Sequence, residues 1–391
     1  MTAFSFYEFF AGAGMARAGL GSQWQCLFAN EFDIKKSVVY RDNWGTPDVL
    51  KVADVGTLAA ADIPSEAADL VWASFPCQDL SLAGAGAGLK GDRSGTFWPF
   101  WRLMESLIKQ DRAPKLIVLE NVCGTLTSHS GKDFAAICGT YLKAGYRFGA
   151  VVVDAEKFVP QSRPRLFVVG VRDDVEVAPH LVRTAPSPTW HPRGLTTAHS
   201  KLTAKTRESW IWWNLPAPTT RVGTFADLIE DEPVGVEWHT AAETAKLLKM
   251  MSPLNREKVD EVKRSGLRTV GAIYKRTRRD DVGRKVQRAE IRFDDLAGCL
   301  RTPAGGSSRQ VIMIVEGKSV RSRKSVRSRL ISPRETARLM GLPDSYRLPK
   351  AYNEAYHLTG DGVAVPVVRH LAQHIFESII KTNRVTAKVA A

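Results

Sequence analysis

The chain has 391 residues, 44% hydrophobic and 25% charged, the balance of a folded protein long enough for one large core or two domains. Its start, MTAFSFYEFF, lacks the basic region and cleavage site of a signal peptide, and no apolar run approaches the ~20 residues of a membrane span, so a cytoplasmic protein is expected. Of the net charge of +14, the stretch from Lys263 to Leu330 supplies +13, with 19 Lys and Arg against six Asp and Glu, which points to a polyanionic partner.

Taken in chain order, FSFYEFF, QCLFANEF, DLVWASF, KLIVLENV, RFGAVVVDA and RLFVVGV read as strands, several of them continuously apolar, as in a sheet covered on both faces. GTFWPFWRLMESLIKQ and GKDFAAICGTYLKAG between them read as helices, the second closed by Gly145. Strand and helix alternate, so the expected fold is a doubly wound, Rossmann-like α/β domain with ligands at the carboxyl ends of its strands. From about Val175 to Pro218 the texture turns to Pro, Ser, Thr and His with scattered tryptophans, among them Trp210, Trp212 and Trp213, which are expected in the core. Beyond it, 219–330 reads as short strands and turns with little helical period outside TAAETAKLLKMM. SPRETARLMG then carries a Ser cap, Pro at the first helical position, Glu three residues after the cap and a terminal Gly. VAVPVVRHLAQHIFESII is an apolar helix able to pack back on the first domain.

The chemistry-bearing residues sit at predicted strand ends. Gly12 and Gly14 form a Gly-x-Gly turn after the first strand, where backbone N–H groups can approach a ligand. The third glycine of a dinucleotide fingerprint is replaced by Arg17, which disfavours a nicotinamide cofactor. Glu31 in NEFD can take two ribose hydroxyls, Phe32 can stack on an adenine, and Asp54 can accept an adenine amino group. Together they suit an adenosine cofactor without a pyrophosphate, of which S-adenosylmethionine is the common one. Cys77, in ASFPCQDLS, favours the core when read alone, since cysteine at a strand end is packing more often than nucleophile. The five cysteines, at 26, 77, 123, 138 and 299, form no CxxC pair, so neither a zinc site nor a disulfide framework is suggested.

In their order along the chain, FFAGAG, NEFD, SFPCQ, GDRSGTFW, LENV, VPQSRPRLFVVG, LISPRETARLMGLPDSY and LTGDGVAVPVV resemble the blocks of the DNA cytosine-5 methyltransferase family of bacterial and phage type. The resemblance spans nearly the whole chain apart from about 175 to 300. It implies that Cys77 is a thiolate nucleophile, which adds to carbon 6 of a flipped-out cytosine so that carbon 5 can take a methyl group from S-adenosylmethionine. Glu120 would protonate ring nitrogen 3, Arg165 would hold the exocyclic oxygen, and Arg163 would help position the base and Glu120. Pro76 and Asn121 would fix the loops carrying the reactive groups, with Gln161 in support. Phe10, Gly12, Gly14, Glu31, Phe32, Asp54, Val55, Pro76, Phe97, Asp361 and Val363 would line the cofactor site. Asp361 departs from the family, which has asparagine there, and activity is expected to survive the change.

Residues 81–96, rich in Gly and Ala, match the family's catalytic loop, with Lys90 and Arg93 available for phosphates. The basic region occupies the place of the target-recognition domain, where Arg276, Arg278, Arg288 and Arg309 are candidate DNA contacts. The expected division is a catalytic domain over 1–185, a small, mainly β recognition domain over 186–330, a connecting segment over 331–355, and a helix over 356–391 returning to the catalytic domain. The expected partner is double-stranded DNA, met by a monomer near the nucleoid, with or without a restriction endonuclease acting separately. Two alternatives stand beside this reading, an RNA cytosine-5 methyltransferase of the same fold and a non-catalytic DNA-binding regulator.

Overall fold

The computed structural model describes residues 4–45, 47–76, 88–91, 94–219, 221, 223–301, 309–316 and 326–390. The chain divides into two compact units, one of residues 1–154, 164–219 and 363–391, the other of 155–163 and 220–362.

Among the described residues, the first unit is built on a seven-stranded sheet of β1 Phe4–Phe9, β2 Trp24–Glu31, β3 Leu50–Val52, β4 Leu70–Ala73, β5 Leu116–Val122, β6 Tyr146–Asp154 and β7 Pro164–Arg172. Its order is β3-β2-β1-β4-β5-β7-β6, with β3 through β5 parallel and β7 antiparallel to both its neighbours. The apolar runs are buried as their composition demands; every residue of β4 is buried, and so are the first six of β5. Between the strands lie α1 Met15–Leu20, α2 Ile34–Trp44, α3 Phe97–Ile108 and α4 Lys132–Lys143. Asp33 caps α2, its carboxylate accepting from the backbone N–H of Lys35 and Lys36. The apolar stripe of α3 sets Phe100, Trp101, Met104 and Leu107 into the core.

Strand order reverses between β1 and β4, which makes their carboxyl ends the natural ligand crevice of this fold. Because β7 runs against β5, its first residues reach the same edge, and Arg165 pairs with Val122. Ladder bonds continue past the strand ends there: Ala11 N–H donates to Asn30 and Ala53 N–H to Glu31.

Residues 186–219 belong to the first unit, not to a recognition domain beginning at 186. The reason is packing. Val152 N–H donates to the Trp190 carbonyl, Ile211 N–H to Phe148, and Trp213 is fully buried on the short pair β8 Val182–Arg183 and β9 Trp212–Trp213. This stretch also holds α5 Arg193–Ser200 and α6 Ala204–Glu208.

The second unit carries an antiparallel sheet, β10 Thr269–Arg279, β11 Lys285–Arg292, β12 Val311–Val315 and β13 Val326–Leu330, in the order β11-β10-β12-β13. Against it pack α7 Ala241–Lys249 and α8 Pro253–Ser265, which bury Leu247 and Val259 with Ile273, Ile291 and Met313. The unit ends in α9 Pro333–Leu339 and α10 Tyr352–Asp361, so residues 331–355 are part of this unit's body. The return to the first unit starts at Val363, not 356, and runs through α11 Val365–Leu371, a π turn over Ala372–Phe376, and α12 Glu377–Ala390. There Glu377 accepts from the Trp24 indole and Arg384 donates to Asp69. Among the described residues, no helix is long and apolar enough to cross a membrane.

The capping box of α9 has a second use. Glu335 accepts from Ser332 N–H and also takes Arg329 in a bidentate pair at 2.8 and 2.5 Å, with neither side chain exposed. Removing one partner leaves a buried charge alone, so Arg329→Ala is expected to cost about 3–5 kcal/mol, read as a lowered denaturation midpoint. A midpoint unchanged in urea titration would contradict this account of the unit.

Candidate active site

The turn after β1 is held in an uncommon backbone conformation. Phe10, Gly12 and Gly14 have φ of 56°, 57° and 80°, a region in which a non-glycine residue such as Phe10 is strained. A side chain at Gly14 would run into the Trp44 indole, 2.2 Å from a Cβ placed there, whereas a Cβ at Gly12 meets nothing within 4 Å. Gly14 is therefore glycine for its neighbour, and Gly12 leaves the backbone open. Glu31, at the end of β2, accepts from Gly12 N–H at 2.7 Å and from Asp33 N–H at 2.8 Å, so one buried carboxylate braces two strand-end turns. The Phe32 ring beside it is 71% exposed, available to a flat ligand. Asp54 accepts from Gly56 N–H and fixes the turn after β3. Val55, Phe97 and Val363 are buried; Phe97 has no exposed surface and packs among Phe75, Trp98 and Trp101, so its place is the core beneath the turns.

Cys77 and Arg93 lie outside the described residues, as do most of the loop at 81–96 and the side chain of Lys90. The chain is described up to Pro76, whose carbonyl accepts from Ser94 Oγ at 2.9 Å. Asn121 donates to the Phe75 carbonyl at 3.1 Å and accepts from Val122 N–H and Thr125, so it ties the end of β4 to the end of β5. The segment entering Cys77 is thus anchored to the strand that carries Glu120.

Glu120 and Arg165 are diagonal neighbours on one face of the β5–β7 pair, with Nε 3.2 Å from Oε1 and both side chains mostly buried. The structure brings these two together. Beside them, burial pushes the Cys123 thiol up to about 11 despite the pull of Arg165, so it stays protonated at neutral pH and is no nucleophile. Cys26 is likewise pushed to about 11, and Cys138 higher still.

Arg163 donates to a set of backbone carbonyls. It is 1% exposed and belongs to the second unit, where it donates to the carbonyls of Leu300, Gly360 and Gly362 at 3.1, 2.8 and 2.6 Å. It therefore fixes the backbone on both sides of Asp361, which lies exposed at the end of α10. Gln161, fully buried, donates to the Leu339 carbonyl and accepts from Leu300 N–H in the same unit. Arg309 is tied to Asn353 and lies over the Tyr352 ring at 5.6 Å, an anchored rather than projecting side chain. Arg276, Arg278 and Arg288 lie on the β10–β11 hairpin.

One group was missed by the sequence reading. Glu8, the penultimate residue of β1, is 1% exposed; Oε1 accepts from Arg17 N–H at 3.3 Å and Oε2 has no hydrogen-bond partner among the described residues. Burial raises its carboxyl to about 8, with Arg17 pulling the other way. The signal was a lone acid inside an apolar strand. A raised acid contributes stability that is full below its unfolded value near 4.5 and is lost as pH climbs toward 8. Glu8→Gln is therefore expected to match the parent's melting temperature near pH 5 and to exceed it at pH 8. Parallel melting curves across that range would contradict the assignment.

A doubly wound α/β sheet with polar groups gathered at one edge, in a chain that also carries a small antiparallel sheet, defines the class as Rossmann-like α/β. The chain belongs to the C-5 cytosine-specific DNA methylase family, whose profile matches residues 4–377. It is 24% identical over 393 residues to Type II methyltransferase M.HpaII of Haemophilus parainfluenzae, covering 96% of this chain and 90% of that one. It is 23% identical over 383 residues to Type II methyltransferase M.HhaI of Haemophilus parahaemolyticus, covering 97% and 96%. Among solved structures it is similar to the Entamoeba histolytica methyltransferase EhMeth, with TM-score 0.61, 14% identity, and coverage of 97% and 99%. The S. pombe Dnmt2 methyltransferase matches with TM-score 0.55, 15% identity, and coverage of 96% and 99%.

Proposed function

We propose that the protein is a sequence-specific DNA (cytosine-5) methyltransferase that uses S-adenosylmethionine. The observation that carries this reading is the Glu120–Arg165 pair, set at the sheet edge where the chain leads into Cys77. Family membership and relatives named Type II methyltransferases support it.

The residues at the strand ends suit the cofactor. Gly12 offers open backbone, Phe32 an exposed ring, and Glu31 a carboxylate whose remaining lone pairs can accept ribose hydroxyls. When bound, S-adenosylmethionine supplies an electrophilic methyl group. The protein's own residues do the rest. The Cys77 thiolate adds to carbon 6 of a cytosine turned out of the duplex, forming the S–C6 bond as the 5,6 double-bond electrons shift to the 4,5 bond and the negative charge moves onto nitrogen 3. Glu120 gives a proton to nitrogen 3 and so neutralises the charge that develops there. Arg165 holds Glu120 in place and presents a guanidinium to the exocyclic oxygen. Once carbon 5 carries the methyl group, a base takes the carbon 5 proton. The C5–H electron pair re-forms the 5,6 double bond as the S–C6 bond breaks and the thiolate leaves, and nitrogen 3 returns its proton to the Glu120 carboxylate. Arg163 acts on this reading as a positioning residue for the turn around Asp361. A monomer acting on duplex DNA, with or without a restriction endonuclease working separately, completes the reading.

The test is transfer of labelled methyl from S-adenosylmethionine to duplex DNA and to tRNA in parallel, followed by bisulfite sequencing of the DNA. Label confined to cytosines within one short DNA sequence is expected. Label in tRNA alone would make the protein an RNA methyltransferase, and label in neither would leave a DNA-binding regulator.

A further inference from the structure

The turn after β1 is fixed by more than its own residues. Phe10, Gly12 and Gly14 all take positive φ, and the strain at Phe10 persists only while neighbours over-determine the turn. Glu31, just before α2, is one such neighbour, accepting from Gly12 N–H. Another comes from the opposite end of that helix. Trp44, the last residue of α2, donates from its indole Nε1 to the Ala13 carbonyl at 3.1 Å. The same ring lies so close to Gly14 that a Cβ there would stand 2.2 Å from Nε1 and 3.0 Å from Cδ1. One side chain thus holds the Ala13 carbonyl and fills the space beside Gly14.

Trp44 is itself held in place. The Arg17 guanidinium lies over its ring, 4.7 Å from the centroid, and donates to Tyr40 Oη at 3.1 Å. Gly45 takes a φ of 55° and donates to the Arg41 carbonyl, so α2 stops directly after Trp44. Arg17 is the third residue of α1, and its N–H is accepted by Glu8. A helix leaves its first N–H groups without partners inside the helix, so this bond ties the start of α1 to β1. Glu8, Arg17, Tyr40 and Trp44 thereby join β1, α1 and α2 around one turn.

We infer that Trp44 is a positioning residue for S-adenosylmethionine, acting through the Ala13–Gly14 peptide. The inference rests on the proposed use of that cofactor and deepens it. Glu31 and Trp44 brace the turn at two points, Gly12 and Ala13, from the two ends of α2. Without the indole, the Ala13–Gly14 peptide is free to rotate, and the open backbone at Gly12 is offered by only a fraction of the molecules. Apparent cofactor affinity falls by that fraction. Cys77, Glu120 and Arg165 are untouched by the change, so the chemical step and the DNA contacts keep their rates once cofactor is bound.

The test compares the full-length parent with Trp44→Phe and Trp44→Ala. It uses calorimetric binding of S-adenosylmethionine, amide hydrogen exchange without cofactor, and steady-state kinetics on duplex DNA. Trp44→Phe keeps a ring beside Gly14 and under Arg17 and removes the N–H donor. It is expected to weaken cofactor binding about fivefold, the worth of one ordinary hydrogen bond, with the melting temperature kept. Trp44→Ala also loses the ring under Arg17 and should weaken binding about 20-fold. In both, kcat at saturating cofactor and KM for DNA should stay within about twofold of the parent, the split expected of a group that acts on cofactor binding alone. Faster amide exchange should be confined to residues 10–20. Gly14→Ala supplies an independent check, since it should weaken binding by a smaller factor in the Trp44→Ala background, where the indole is gone. Parent-like cofactor affinity in both Trp44 variants would overturn the inference. So would an equal loss in cofactor binding, KM for DNA and kcat with exchange raised throughout the first unit, the signature of a residue that only supports the fold. A parent that binds no S-adenosylmethionine would overturn the cofactor reading itself.

Discussion

Replacing Cys77 with alanine is expected to abolish methyl transfer, by roughly 10⁴-fold or more, the scale on which other enzymes lose activity with their nucleophile. Carbon 5 of cytosine is too weakly nucleophilic to take a methyl group until a thiolate adds at carbon 6, so no neighbouring group can stand in by proton transfer alone. Cys123 is the natural control. It lies beside Glu120 and Arg165, yet burial keeps its sulfur protonated, and Cys123→Ala should retain turnover within a few-fold of the parent. Single-turnover rates of the two variants, measured at saturating DNA and cofactor, check both statements together. Loss in Cys123→Ala with activity retained in Cys77→Ala would reverse the assignment.

The second large effect is expected at the Glu120–Arg165 pair. Glu120→Gln keeps the shape and an acceptor for Arg165 but cannot deliver a proton, so turnover should fall about 10²- to 10⁴-fold with a smaller loss of stability than Arg165→Ala. Arg165→Ala removes the partner of a mostly buried carboxylate and should lower stability as well, by about 3 kcal/mol, alongside its effect on turnover. The pair of variants separates chemistry from support, because the fall in rate relative to the loss of stability is larger in Glu120→Gln than in Arg165→Ala. A Glu120→Gln enzyme with full turnover would remove the carboxyl from the reaction, whatever Arg165→Ala did.

The sheet was legible because its strands are buried on both faces and read as unbroken apolar runs; FSFYEFF, DLVWASF and KLIVLENV all became strands within two residues of expectation. The site was legible for a related reason: polar residues appear where those runs stop. What escaped was non-local. The reversed direction of β7 depends on what lies across from it, which LFVVG does not encode. The helix over Pro253–Ser265 was missed because it is mostly charged and buries only Val259, though its Ser252 cap and leading proline were readable. The Pro- and Ser-rich texture after Val175 looked like a boundary, yet Trp190 and Trp213 bury themselves on the first unit and carry the segment with them. Arg163, Arg309 and Glu335 each find partners far along the chain or of a kind that spacing does not announce.

The central claim is that Cys77 forms a bond with a cytosine in duplex DNA. Fluorine at carbon 5 cannot leave as a proton does, so DNA carrying 5-fluorocytosine at the methylated position should trap the thioether. Incubated with such DNA and S-adenosylmethionine, the parent is expected to form a denaturation-resistant adduct whose peptide mass maps to Cys77, and Cys77→Ala none. A methylating enzyme that yields no adduct, or one mapped to another cysteine, would contradict the account.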